Sequence, residues 1–231
     1  MTASTKPLRL VEDLVEDPPP EPARRSLLHR RLTGTYDVDP WGLDTDLVQA
    51  LSPVWSLRYH LEVDHPERLP ATGPALLVAN RRLGASEPFV LARGVRSATG
   101  RHVRCVGVPD VAPVGSVLRR LGGVLARADE VAGLLRAGEV VGVLLDRDVR
   151  HRAHAGLVPT ELFAPAFDLG VPVVPVALVG REVGRYWRVR LGTPVRHPAG
   201  RGPLAMAELA ERARTGVQDL LDEALPPRGW M

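Results

Sequence analysis

The stretch PALLVANRRLGASEP, Pro74 to Pro88, decides the fold. From Ala75 to Ala79 it is apolar at every position, so it reads as a strand buried on both faces of a sheet. The run ends abruptly in Asn80, Arg81 and Arg82, then a Gly-Ala-Ser turn and Glu87-Pro88. A polar loop leaving the carboxyl end of a buried strand is where α/β proteins place ligands and catalytic groups. The loop's most prominent side chains are guanidiniums, which hold anions but take no proton near neutral pH.

Outward from this strand, the chain alternates strand-like and helical segments. Further apolar runs lie at 59–64, 102–108, 139–146, 171–180 and 187–195. Helical patterns fall between them at 86–100, 114–122, 129–138 and 160–170, with Gly94, Gly100, Gly138 and Gly170 expected to end helices as left-handed caps. A last helix, Pro203 to about Ala224, carries Leu204, Leu209, Ala213, Val217, Leu220 and Leu221 on one face. This alternation predicts an α/β sandwich with a mostly parallel central sheet flanked by helices.

Ahead of this domain, residues 1–25 are acidic and proline-rich and read as a flexible leader. Residues 26–62 read as helical, the α/β domain as 63–200, and 201–231 as a helix and tail. Asp44 or Thr45 is the expected N-cap before an amphipathic turn, and Pro53 a restart of the helix. Two readings of this helix are open: a cover for the core, or a helix lying on a membrane with Trp55 and Tyr59 at the interface.

Composition narrows the function. The chain has 231 residues, 45% hydrophobic, enough for one good core. A net charge of +3 with pI near 9.6 permits anionic partners. The arginines are nevertheless dispersed and aromatics are only 4%, which argues against nucleic acid. A single cysteine, Cys105, excludes a disulfide framework, fits a cytoplasmic setting, and reads as a buried hydrophobe. No run reaches the roughly 18–20 apolar residues of a membrane span, so any membrane association is expected to be peripheral, on the inner face of the plasma membrane. The histidines lack metal-ligand spacing, so no metal is expected. There is no G-x-G-x-x-G after the first strand and no G-x-S-x-G elbow, which excludes a dinucleotide fingerprint and a serine-hydrolase nucleophile.

Four blocks, in order, resemble the motifs of the glycerolipid acyltransferase superfamily, the lysophosphatidic acid and glycerol-3-phosphate acyltransferases. They are LPATGPALLVAN with its loop, VAPVGSVLRRLGGVLARADE, VVGVLLDRDVR and LGVPVVPVALVG. The resemblance covers roughly residues 58–200. It implies an acyl-CoA or acyl-carrier co-substrate, no bound cofactor, and a lipid or lysophospholipid acceptor. In that family a histidine takes the acceptor hydroxyl's proton, an aspartate orients it, and arginines grip a phosphate. Carried onto this chain, the resemblance assigns Arg81, Arg82 and Glu87 to the catalytic region, to which His154, in the segment directly beyond the third block, is added as a candidate base. It assigns Asn80, Gly123, Arg127, Asp146, Arg147, Arg150 and Pro172 to substrate binding.

The departures fall at the centre of that template. Arg81 stands where the family has its histidine; pairing Glu87-Pro88 with the family's Asp-Pro puts Arg82 there instead. Asp146 takes the place of the third block's glutamate, and Arg147 and Asp148 replace its Gly-Thr. Three readings of the loop stand open. Arg82 and Glu87 form a structural ion pair; or Arg81, Arg82, Arg127 and Arg150 cradle a phosphate or coenzyme A; or His151 or His154 supplies the missing base. The function classes are correspondingly two: a divergent acyltransferase, or a non-catalytic relative that binds lipid, acyl-CoA or a partner.

Overall fold

The computed structural model describes residues 38–81, 86–145, 155–181 and 184–224. The leader, Arg82, Asp146, Arg147, Arg150, His151 and His154 lie outside the described residues. So does the expected helical material before residue 38.

Seven strands form one sheet: β1 His60–Asp64, β2 Ala75–Ala79, β3 Val103–Val106, β4 Gly123–Val124, β5 Val140–Leu144, β6 Val173–Gly180 and β7 Tyr186–Leu191. Their order is β1-β7-β6-β2-β5-β3-β4. Every neighbouring pair is parallel except β6 and β7. β2 sits near the centre between β5 and β6, and all five of its residues are buried, as an unbroken apolar run requires.

The helices are α1 Thr45–Arg58, α2 Glu87–Thr99, α3 Val114–Arg120, α4 Ala128–Arg136, α5 Ala164–Asp168 and α6 Pro203–Ala224. Alternate residues of the strands feed two cores. Leu77, Ala79, Cys105 and Val176 pack with Val90, Leu91 and Val95 of α2. Leu76, Val78, Val141 and Val143 pack with Leu134 of α4, Ala166 of α5 and Leu209, Ala213 and Val217 of α6. The result is the α/β/α sandwich expected from the alternation.

Some local expectations change. Gly100, Gly138 and Gly170 do lie at positive φ beyond helix ends. Gly94 instead lies inside α2, where an added Cβ would come 2.9 Å from Val189 Cγ2; it is a packing glycine that lets the helix approach β7. Pro53 does not restart a helix but is carried inside α1, whose N-cap Asp44 accepts from Leu47 N at 3.0 Å. Leu204 opens α6 exposed rather than in its apolar face. β4, only two residues long, was not anticipated. A Cβ at Gly123 would overlap Val108 and crowd the Leu118 carbonyl, so the strand's tight fit depends on glycine.

Buried Arg104 ties the segment before α1 to the sheet. It pairs with Asp39 and, at 3.7 Å, with Glu139. Burial lowers its pKa, and Glu139 opposes that shift. Asp39 also accepts the amides of Trp41 and Leu43, which holds the chain entering α1 in a fixed turn. At the other end of α1, Arg58 donates to the Gly184 carbonyl and Arg185 to that of Leu57.

Candidate functional site: an apolar cleft with an arginine at its mouth

The end of β2 builds the site. Asn80 is buried and its amide continues the ladder toward β6: Nδ2 donates to Leu178 O at 3.0 Å, and Oδ1 accepts from Leu178 N at 2.7 Å. Both ends of the amide are thereby committed to β6, so Asn80 positions the loop. Arg81, next in the chain, is exposed and lines a cavity of about 270 Å³.

The cavity runs along β3 beneath α2 and α3. Its walls are largely apolar, with Phe89, Ala92, Cys105, Leu118, Leu121 and Gly123 among the lining residues. Concave, mostly apolar lining with few polar groups is the pattern of small-molecule and chain-binding sites. Burial pushes the Cys105 thiol up to about 12, and its Sγ–H donates to Pro88 O at 3.3 Å, so it is a wall and not a nucleophile.

α2 has two working faces. Glu87, Val90, Leu91, Gly94 and Val95 are buried. Phe89, Ala92, Arg93 and Arg96 recur at the same helical spacing on the other side and face cavities. Glu87 and Pro88 open the helix, where a carboxylate favours the dipole and a proline loses no hydrogen bond. Glu87 is wholly buried, and the neighbouring Ser86 shares a 2.7 Å hydrogen bond with the Tyr59 hydroxyl. Trp55 stacks on Phe89 with centroids 4.9 Å apart. Trp55 of α1 and Tyr59, the residue that caps its C-terminus, therefore face the protein, while Val54 and Leu57 are the exposed apolar residues of that helix.

A second, smaller chamber of about 60 Å³ shares Phe89, Ala92, Val103 and Leu121 with the main cavity. Its further lining includes Trp55, Arg93, Arg96 and His102. Burial, and then the Arg96 charge, lower the His102 pKa.

Of the residues assigned from sequence, the structure brings Arg81 and Gly123 to the cleft. Arg127 is the exposed N-cap of α4 and is absent from the cleft lining. Pro172 requires correction as a site residue. Its carbonyl accepts from Leu76 at the start of β2, and the parallel register carries it to the sheet end opposite Arg81. The Arg82–Glu87 ion pair, Arg150 in the cradle and His154 as base all involve residues outside those described. Sequence reasoning missed Phe89, Ala92 and Leu121, and passed over His102 with the histidines that lack metal-ligand spacing. The i, i+3, i+4, i+7 recurrence of 89, 92, 93 and 96 was the available signal.

No protein-family model matches the chain. The chain is similar in structure to PlsC, the 1-acyl-sn-glycerophosphate (LPA) acyltransferase of Thermotoga maritima, with a TM-score of 0.54 over 80% of this chain and 83% of that one. The two share a fold. At 17% identity the likeness extends to architecture alone. In sequence, an uncharacterized protein of Mycobacterium leprae (strain TN) is 32% identical over 180 residues, 67% of this chain and 47% of its own length. An uncharacterized protein of Mycobacterium tuberculosis (strain ATCC 25618 / H37Rv) is 28% identical over 180 residues, with 67% and 48% covered. The chain spans about half the length of the curated relatives it matches. Among the described residues no helix is long and apolar enough to cross a membrane, and no cluster of metal-ligating side chains occurs.

Proposed function

We propose that this chain is a divergent member of the glycerolipid acyltransferase superfamily that binds the acyl chain of an acyl-CoA or acyl-carrier thioester and transfers it to a lysophospholipid-type hydroxyl. The observation that carries this reading is the apolar cleft along β3, with Arg81 at its mouth on the carboxyl end of β2. Burying each methylene in such a cleft is worth about 0.8 kcal/mol, enough to hold a chain of several carbons against the cost of ordering it. Arg81 suits the anionic part of the donor or acceptor, since a guanidinium matches phosphate oxygens in pairs.

The same geometry favours a second reading, a non-catalytic module that binds acyl-CoA or lipid. Among the described residues no histidine lines the main cleft, and Arg81 cannot act as a base. Purified protein given radiolabelled acyl-CoA and lysophosphatidic acid separates the two. Turnover lost on His151→Ala or His154→Ala supports transfer with a base from that segment. Saturable acyl-CoA binding that weakens on Arg81→Ala, with no turnover, supports the binding module. Absence of both binding and turnover defeats both.

The substrates place the working surface at a membrane. Val54 and Leu57 on α1 and Val114 and Val117 on α3 are exposed, α1 contacts α3, and Leu118 of α3 lines the cleft. A peripheral association through these residues predicts liposome co-sedimentation that falls on Val54→Ser with Leu57→Ser. Equal sedimentation of wild type and double variant refutes that surface.

A further inference from the structure

The arginines of the β6–β7 hairpin are of two kinds. Within the ladder they are paired: Arg188 with Glu62 at 2.6 Å and Arg190 with Asp64 at 3.0 Å, both carboxylates supplied by β1. At the tip, Arg181 and Arg185 are exposed, and neither pairs with a carboxylate of the described residues. Glu182, which the sequence places in the turn, lies outside the described residues. Even counting it, residues 57–60 and 181–186 together hold three arginines and one glutamate, a net charge of +2 with the histidine neutral. Exposed cations without a counter-charge keep their full field at the surface.

The tip also stands clear of the sheet. β2 and β6 pair as far as Ala79 and Val176, but β6 continues to Gly180, about 13 Å further at the usual rise per residue. The hairpin therefore overhangs the sheet end where Arg81 opens on the cleft. The end of α1 is fastened to it: Arg58 Nη1 donates to Gly184 O at 2.9 Å, Arg185 Nη2 to Leu57 O at 2.7 Å, and His60 N to Arg185 O at 2.7 Å. The Leu57 bond occupies only part of the five-donor guanidinium, and it holds that group beside a leucine 74% exposed. Val54, three residues back on the same helix face, is 61% exposed. Exposed apolar side chains set beside uncompensated arginines are the composition of a surface that lies on an anionic bilayer. A projecting tip suits such a plane, whereas a protein partner of ordinary interface size needs a broader patch.

We infer that the tip of the β6–β7 hairpin and the end of α1 form a docking surface for an anionic lipid bilayer. Arg181 and Arg185 meet headgroup phosphates, Leu57 and Val54 enter the interface, and the cleft mouth at Arg81 is thereby held beside the lipid. This rests on the reading that the working surface lies at a membrane, and it adds the charge of the lipid and the element that reads it. It does not depend on transfer.

The test is co-sedimentation of the full chain with vesicles of phosphatidylcholine alone and of equimolar phosphatidylcholine and phosphatidylglycerol. The anionic vesicles are expected to bind about thirtyfold more tightly, with a preference that fades as salt is raised. Arg181→Gln with Arg185→Gln, checked for folding by thermal denaturation, should remove most of that preference and leave binding to neutral vesicles within about twofold. Arg181→Gln alone, expected to cost about fivefold, keeps the test open if the double variant is unstable. Arg181→Lys with Arg185→Lys keeps the charge and should stay within about threefold of wild type on anionic vesicles, which separates charge from the Leu57 contact. Arg196 and Arg201 are exposed beyond Val195, which bridges to the start of β6 at the opposite end of the sheet. Arg196→Gln with Arg201→Gln removes the same charge there and should change binding by less than about twofold. Equal binding to the two kinds of vesicle overturns the inference, as does a loss in this control pair as large as in the hairpin pair. Hairpin-dependent binding of a soluble acyl carrier protein without any preference for anionic vesicles also overturns it, and makes the tip a protein-docking site. Anionic preference without acyl transfer leaves the inference standing and removes the transferase reading. Transfer without anionic preference removes the inference alone.

Discussion

Asn80→Asp isolates what the polar end of β2 does, because the substitution is nearly isosteric and reverses one hydrogen bond. In the wild type the Asn80 amide gives Leu178 O a donor at 3.0 Å and takes Leu178 N–H at 2.7 Å. An aspartate keeps the second bond, but its other oxygen faces the Leu178 carbonyl. Protonated, the acid donates to that carbonyl and restores the pair; ionised, it is a buried charge set against a lone pair. The folded-state pKa is therefore raised above the unfolded value of about 3.9. A shift of roughly two units, moderate because one strong donor remains, corresponds to about 2.7 kcal/mol. The sign follows from proton counting: the folded state binds the proton more tightly, so stability is retained below about pH 4 and lost as pH rises to about 6. Relative to wild type, the variant should lose roughly 1 kcal/mol more at pH 7.5 than at pH 5, a difference of about 0.5 M in urea midpoint at an m-value of 2–3 kcal/mol/M. Asn80→Ala, which leaves both backbone groups of Leu178 without a partner, should cost about 2–4 kcal/mol with no pH dependence beyond the wild type's. A pH-independent difference for Asn80→Asp, together with an alanine cost under about 1 kcal/mol, would refute the splice of β2 to β6.

Three further outcomes follow from packing and burial. Gly94→Ala, which improves helix propensity by about 1 kcal/mol, should still lower the melting temperature, because its Cβ meets Val189 Cγ2 at 2.9 Å; a raised melting temperature refutes the close α2–β7 contact. Cys105 should resist maleimide at pH 8 in the native protein and label on denaturation, since burial holds its thiol at about 12; rapid native labelling contradicts that burial. Arg104→Leu should cost about 2–3 kcal/mol, short of the full buried-pair penalty because Asp39 and Glu139 remain partly hydrated. It should also speed hydrogen exchange at Trp41 and Leu43, whose amides Asp39 fixes; unchanged exchange there shows that Arg104 does not hold the turn.

The strands were legible because burial on both faces leaves an unbroken apolar run, as in Ala75–Ala79 and Val173–Leu178. β4 was not, because two residues carry no period and their fit depends on the missing side chain of Gly123. Gly94 was misread for a related reason: a glycine in a helix signals a cap or a close approach, and only the partner helix or strand tells which. Trp55 and Tyr59 looked suited to an interface on amphipathic grounds, but their partners, Phe89 and Ser86, lie some thirty residues on in the chain. The cleft itself was half legible. Its mouth was marked by Arg81, whereas its walls come from α2, β3 and α3, and no local pattern announces that three separated elements leave a space between them.

What divides an acyltransferase from a binding module here is a modest free energy. Loss of a general base typically costs 10²–10⁴-fold in rate, about 2.7–5.4 kcal/mol in barrier. Stabilising the oxyanion of acyl transfer by one well-placed donor is worth about 2.7–4 kcal/mol. If the proposed transfer holds, an arginine at the carboxyl end of β2 therefore has the means to offset much of what an imidazole would supply, provided that it meets the developing oxyanion and not the donor's phosphate. The two placements make opposite kinetic demands. Arg81 on the oxyanion requires Arg81→Ala to lower kcat with little change in acyl-CoA affinity. Arg81 on phosphate requires the same substitution to weaken binding and steepen less with salt, leaving single-turnover rates at saturation unchanged. A guanidinium that changes neither belongs to the fold's surface, and the chemistry of the cleft would then rest on its apolar walls alone.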